Sequence, residues 1–155
     1  MKKRYSPNSY NDTLFNGSFL RRFIHLSRFY WLKKTIIRNK IKHNNILELG
    51  CGDGKTLEFI PKDEFTYYGL DANWNNSLDS AKNKYDKREN IKFEEVNNLK
   101  EISIDSKKFF DLIICMETLE HIAPDQVCNY LQKLSNHSKG YFLITVPNEK
   151  GLFFL

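Results

Sequence analysis

Long hydrophobic runs are missing from this sequence of 155 residues. No stretch approaches the roughly 18 consecutive apolar residues of a membrane-crossing helix. The start, Lys2-Lys3-Arg4, is basic, but no apolar core follows it, so no secretory signal is read. Cysteine is scarce and scattered. Cys51, Cys115 and Cys128 are odd in number and far apart. They read as free thiols of a reducing compartment, with cytoplasmic residence as the expectation. Without close Cys/His spacing, a structural zinc site is disfavoured. Charge of one sign is not massed either. The net charge is +5, with Lys and Arg spread along the chain. That permits nucleic acid or an anionic membrane as partner without favouring either.

Apolar residues make up 41% and charged residues 28% of the chain, proportions ordinary for a soluble protein. The length allows one domain with a real core and hardly two. Glycine is sparse, with seven residues in all, yet Gly50, Gly52 and Gly54 alternate within one stretch. Just before them come Ile46, Leu47 and Leu49, with Glu48 inside the run. An apolar run halted by clustered glycines reads as a buried strand ending in a tight turn. Three glycines so close are costly in backbone entropy unless the turn needs positive φ or the close approach of a ligand. A strand, such a turn and a helix present the cofactor crevice of a doubly wound sheet.

The spacing discriminates among ligands. A dinucleotide turn is G-x-G-x-x-G, and here the third glycine comes one residue early. Asp53 also sits poorly for a doubly charged pyrophosphate. Lys55-Thr56 resembles the end of a phosphate loop, but position 49, where that pattern needs glycine, is leucine. The acidic residues flanking the turn suit an amine or a sulfonium.

Residues 1–18 read as a polar tail or lid. Ser18 could cap the helix that follows. From Phe19 to Ile37 apolar residues recur at helical spacing, with Arg21, Arg22, Arg28, Lys33, Lys34 and Arg38 between them. Residues 19–39 have the look of a membrane-surface helix. A helix covering one sheet face, with a solvated basic side, is the favoured expectation. Beyond the turn the sequence predicts a short helix over 55–60 ending at Pro61, a strand over 65–70, a helix over 75–86 and a strand over 91–96. A fourth strand is predicted over 109–116, a helix opening at Pro124, a crossover ending at Gly140 and a fifth strand over 141–146. Strand–helix alternation argues an α/β fold with an open, mostly parallel sheet. Asp71, at the end of the second strand, is placed to accept hydrogen bonds from a ribose diol. Asn97 and Asn98 follow the third strand, where an amide can meet an adenine edge or simply end the strand. Glu117, Glu120 and His121 follow the fourth strand, in the expected crevice.

Taken together, Glu48-Leu-Gly50-Cys-Gly52-Asp-Gly54, Gly69-Leu-Asp71, Phe110 to Ile122 and Lys139 to Asn148 resemble, in order, the motifs of Rossmann-like S-adenosylmethionine-dependent methyltransferases. The likeness spans residues 45–149, in the form seen in ubiquinone-pathway and small-molecule methyltransferases. It implies a three-layer doubly wound sheet of order 3-2-1-4-5 in a domain over 19–155. It implies S-adenosylmethionine as cofactor, with the Gly50–Gly54 turn on its methionyl part and Asp71 on its ribose. The implied cofactor set is Glu48, Gly50, Cys51, Gly52, Asp53, Gly54, Asp71, Ala72, Asn97, Asn98, Cys115 and Met116. That family usually carries Asp where Asn97 stands.

The implied reaction displaces a sulfonium methyl onto an O, N or C nucleophile of a small-molecule acceptor, which must lie in line with the breaking bond. A hydroxyl nucleophile must also lose its proton. His121 is the base candidate, since an imidazole exchanges protons near neutrality, with Glu117 and Glu120 beside it. Capping and bracing of the loop is the plainer role for these residues. Two alternatives stand: a cofactor-binding but inactive partner or fragment, and a metal-dependent RNA 2′-O-methyltransferase using a Glu-x-x-Glu-His set. No histidine follows His137 to complete that set, so no metal is expected. The family normally adds a helix and a hairpin after strand five. The chain is therefore expected to be C-terminally incomplete, with strand five and Leu152–Leu155 open to self-association or to a partner.

Overall fold

A computed structural model describes residues 19–61, 64–74, 76–98 and 101–147. The expectations for residues 1–18, for Asn148 and Glu149 and for Leu152–Leu155 lie outside the described residues.

The elements run α1 (Phe19–Arg38), β1 (Asn45–Leu49), a 3-10 turn (Lys55–Phe59), β2 (Thr66–Asp71), α2 (Ser77–Lys84) and β3 (Ile91–Glu95). They continue as β4 (Phe110–Met116), a second 3-10 turn (Leu119–His121), α3 (Pro124–Ser135) and β5 (Ser138–Thr145). The strands form one sheet of order β3-β2-β1-β4-β5, and every adjacent pair is parallel. This is the expected three-layer doubly wound sheet.

Side-chain alternation explains the layers. Ile46, Leu112, Ile114 and Met116 point to one face, where Phe29, Leu32 and Ile36 of α1 and Leu78 of α2 cover them. Leu47, Leu49, Ile113 and Cys115 point to the other, under Tyr130 and Leu134 of α3. All seven residues of β4 are buried, as a central strand covered on both faces requires. Its one carboxylate, Asp111, accepts from Asn45 N (3.1 Å) and pairs with Lys42 Nζ (3.0 Å). Those partners hold the Asp111 carboxyl below the usual carboxylate range against its burial. Among the described residues no helix is long and apolar enough to cross a membrane.

The structure corrects several boundaries. The short helix expected over 55–60 is a 3-10 helix that ends one residue earlier, at Phe59, and Ile60 is extended before Pro61, as a residue preceding proline prefers. α2 is shorter than 75–86. It begins after Asn76, which is left-handed at φ 55°, and Asn73 Oδ1 accepts from Leu78 N at 3.1 Å. Gly140 does not end the crossover but lies within β5. The β4–β5 register slips between the pairs Phe110↔Ser138 and Leu112↔Tyr141, which is a β-bulge. A Cβ at Gly140 would stand 2.0 Å from Asp111 O, so the bulge brings backbone against backbone where only glycine fits. In β5 Leu143 is buried, while Tyr141 and Ile144 are exposed.

Candidate functional site

The C-terminal ends of β1, β2 and β4 converge on one cavity, and the glycine turn is its floor. Gly50, Gly52 and Gly54 have φ of 76°, 52° and 72°, a left-handed backbone that side chains with a Cβ resist. Gly50 N and Cys51 N both donate to Leu70 O, at 2.7 and 3.2 Å, which ties the turn to β2. A Cβ at Gly50 would lie 2.0 Å from Thr118 Oγ1, whereas a Cβ at Gly52 would meet nothing within 4 Å. Gly50 is glycine for packing. Gly52 leaves open space over the turn.

Asp71 locks that turn. Its Oδ2 accepts from Gly52 N at 2.8 Å and its Oδ1 from Asn73 N at 2.7 Å. A carboxylate has about four acceptor sites, so both oxygens can take further donors. Beneath lies Glu48, 2% exposed. Thr56 Oγ1 (2.7 Å) and Tyr67 Oη donate to its two oxygens. Burial pushes the Glu48 carboxyl up to about 8, against those hydrogen bonds and the Arg28 guanidinium, which lower it. Burial likewise raises the thiol of Cys51 and the phenol of Tyr67, and both feel the Glu48 carboxylate as well.

The cavity holds about 660 Å³, within the usual range for small-molecule sites. Glu48, Gly50, Cys51, Gly52, Asp71, Ala72, Asn97 and Met116 line it on the turn side, and Glu117, Glu120 and His121 line it from the loop after β4. His121 Nε2 lies 4.0 Å from Glu120 Oε1, with 60% of the imidazole side chain exposed. The Trp74 ring meets the His121 ring edge-on at 6.0 Å. Glu117 takes a left-handed φ of 51°, and its N–H donates to Thr145 O at 3.0 Å. Among the described residues no group of His, Cys, Asp and Glu is arranged to hold a metal ion, Glu117, Glu120 and His121 included.

A family model described as a methyltransferase domain matches residues 20–152. The chain belongs to the methyltransferase-domain family. A ubiquinone biosynthesis O-methyltransferase of Rickettsia conorii is 30% identical over 112 residues, 71% of this chain and 37% of that protein. Its namesake from Rickettsia typhi is 26% identical over 151 residues, 94% of this chain and 59% of that one. The chain thus spans between about a third and three fifths of the length of these curated relatives. A solved S-adenosylmethionine-dependent methyltransferase from Clostridium acetobutylicum superposes with a TM-score of 0.63 at 22% identity, over 83% of this chain and 56% of that one. That likeness is one of fold.

Within this methyltransferase domain, four residues singled out from sequence stand outside the cavity wall. Asp53 Oδ1 accepts from Lys55 N at 3.1 Å. Gly54 packs against Tyr85 and Phe93. Asn98 donates to Glu101. Cys115 is buried on the α3 side of the sheet, and burial pushes its thiol up to about 12. Conversely, sequence reasoning missed His25, Arg28 and Phe29 of α1, together with Trp74 and Gln126, all of which line the cavity. The i, i+3, i+4 spacing of His25, Arg28 and Phe29 puts them on one helix face. That spacing was a usable signal for the α1 wall. Trp74 carried none beyond its place three residues after Asp71.

Proposed function

We propose that this domain binds S-adenosylmethionine and transfers its methyl group to a hydroxyl, amine or carbon nucleophile of a small-molecule acceptor. The observation that carries the reading is Asp71, held by Gly52 N and Asn73 N at the open edge of the glycine turn. The residues present fit the cofactor. Open space over Gly52 admits the methionyl part against the backbone. Asp71 keeps free acceptor sites for the ribose hydroxyls. Asn97, with Ala72 and Val96, lines the side assigned to adenine. Arg28 lines the same cavity and lies close enough to influence Glu48, which suits the methionyl carboxylate. The bound cofactor supplies an electrophilic methyl on a sulfonium.

This chain's own residues would do the rest by positioning and proton handling. His121 and Glu120 face the cavity and are exposed enough to reach an acceptor, so they are the groups to take a hydroxyl proton. Glu117 is the third carboxylate or imidazole on that wall. The curated relatives are named for O-methylation, which favours a hydroxyl acceptor here. Calorimetry with S-adenosylmethionine, S-adenosylhomocysteine, NAD and ATP tests the cofactor. An acceptor screen that reads S-adenosylhomocysteine release tests the reaction. Binding of NAD or ATP without S-adenosylmethionine overturns the reading. Cofactor binding without turnover, across hydroxyl, amine and carbon acceptors, leaves a binding module.

A further inference from the structure

We propose that the outward face of α1 docks on an anionic phospholipid bilayer. Phe23, Tyr30 and Ile37 are seven residues apart, so they point in nearly the same direction at intervals of roughly 10 Å along the helix. They are 63%, 60% and 56% exposed, and Trp31 beside them is 43% exposed. The opposite side of the same helix sends Phe29, Leu32 and Ile36 into the core and His25 and Arg28 to the cavity wall. A helix that serves only as cover carries a polar outer side. This one carries a second apolar stripe, of which only Tyr30 meets the fold, edge-on against Phe59 with ring centroids 5.3 Å apart, and the rest of which stays exposed.

The helix that carries the stripe is basic. α1 holds Arg21, Arg22, Arg28, Lys33, Lys34 and Arg38 with no Asp or Glu; Arg28 turns to the cavity, and beyond the helix Lys40 follows, while Lys42 pairs with Asp111. Lys33, Lys34 and Arg38 are exposed next to the stripe. Aromatic and aliphatic side chains flanked by Lys and Arg match a bilayer surface of anionic headgroups, where the apolar groups sink below the headgroups and the cations pair with them. Single-stranded nucleic acid would also meet the charge, but Ile37 offers no ring on which a base stacks.

The inference goes beyond the proposed chemistry, and its readout needs neither cofactor nor acceptor. The full chain is mixed with vesicles of phosphatidylcholine alone or with phosphatidylglycerol added, at low and high salt, and sedimented. Binding to the phosphatidylglycerol vesicles, weakened by salt and weak on phosphatidylcholine, is expected. The triple change Phe23→Ser, Tyr30→Ser and Ile37→Ser should lower it at least about tenfold, given the apolar area withdrawn. Lys33→Glu with Lys34→Glu should do the same through charge, and this pair keeps the test alive should the triple variant fail to fold. Thermal melts and cofactor calorimetry on each variant separate lost docking from lost fold. Failure to bind anionic vesicles overturns the proposal, as does binding that both variants leave unchanged. So does a stripe that instead mediates self-association or RNA binding with no vesicle binding.

Discussion

The two walls of the cavity are built differently. The wall of β1 and β2 is tied by hydrogen bonds over a buried Glu48: Leu70 O holds Gly50 and Cys51, Asp71 holds Gly52 and Asn73, and Thr56 and Tyr67 hold Glu48. The wall after β4 is anchored through its backbone, with Glu117 N donating to Thr145 O and His121 N to Thr118 O, both at 3.0 Å, but its cavity-facing side chains are less constrained. Glu120 and His121 touch only at 4.0 Å, and the His121 side chain is largely exposed. A preorganised wall costs little further ordering when it binds a ligand, whereas an open wall can accommodate acceptors of different shape. Under the proposed function the first wall is expected to govern stability and cofactor affinity, and the second turnover.

The sharpest way to break that contrast is Gly50→Ala. The new methyl would enter Thr118, and the backbone there is left-handed. Backbone strain and overpacking together should cost about 2–5 kcal/mol of stability, read as a lowered denaturant midpoint, with cofactor binding lost. Gly52→Ala is the control. It meets open space and should cost only about 1–2 kcal/mol from its backbone, yet it should still weaken cofactor binding by crowding the cavity. Equal stability losses in the two variants would mean that the turn is not braced by Thr118.

Glu48 sharpens the contrast through pH. Its folded carboxyl titrates near 8, raised from 4.5 chiefly by burial. Between those values the folded state keeps a proton that the unfolded state has released. The Glu48 contribution to stability is therefore full below pH 4.5 and falls as pH rises toward 8, by up to about 1.4 kcal/mol per pH unit. Asp111, whose carboxyl is lowered, acts only below that window. Melts of wild type from pH 5 to 8.5 (a window set by these values) should decline, and Glu48→Gln should flatten the decline. A parallel decline in both proteins would place the titration elsewhere.

Much of this wall was legible in the sequence because its cues are local. A glycine turn after an apolar run, and an aspartate closing the next strand, are backbone requirements written in residue type. The β4 motif was equally legible, since a strand buried on both faces is apolar almost throughout, with Asp111 as its one carboxylate. What escaped depended on tertiary contact. Gly140 looked like a crossover end because nothing local shows that Asp111 O lies under it. Asp53 and Gly54 sit within the turn, yet they face Lys55 and Tyr85 rather than the cavity. α1 was legible as a cover, but its exposed stripe appears only once Leu32 and Ile36 are known to be the buried side.

Asp71→Asn should have a smaller effect than the turn variants. The amide keeps one acceptor oxygen and presents an NH2 to either Gly52 N or Asn73 N. Cofactor affinity should fall about ten- to hundredfold, corresponding to about 1.5–3 kcal/mol for a charge-assisted bond. The melting temperature should drop as well, because the carboxylate braces the turn before any ligand arrives. An unchanged dissociation constant in calorimetry would remove Asp71 from the ribose.

The smallest effect on folding and affinity belongs to His121→Gln. The imidazole is exposed, forms no short hydrogen bond with Glu120 and meets Trp74 only edge-on. Its replacement should leave stability within about 0.5 kcal/mol, as is usual for surface substitutions, and cofactor affinity unchanged. Turnover of a hydroxyl acceptor found by the screen should fall about 10²–10⁴-fold, the span usual for a lost general base. A variant that binds cofactor normally and turns over as fast as wild type would make His121 a rim residue, with the proton left to Glu117 or Glu120. A variant that loses cofactor affinity tenfold would show that the open wall also holds the cofactor, and the division between the two walls would fail.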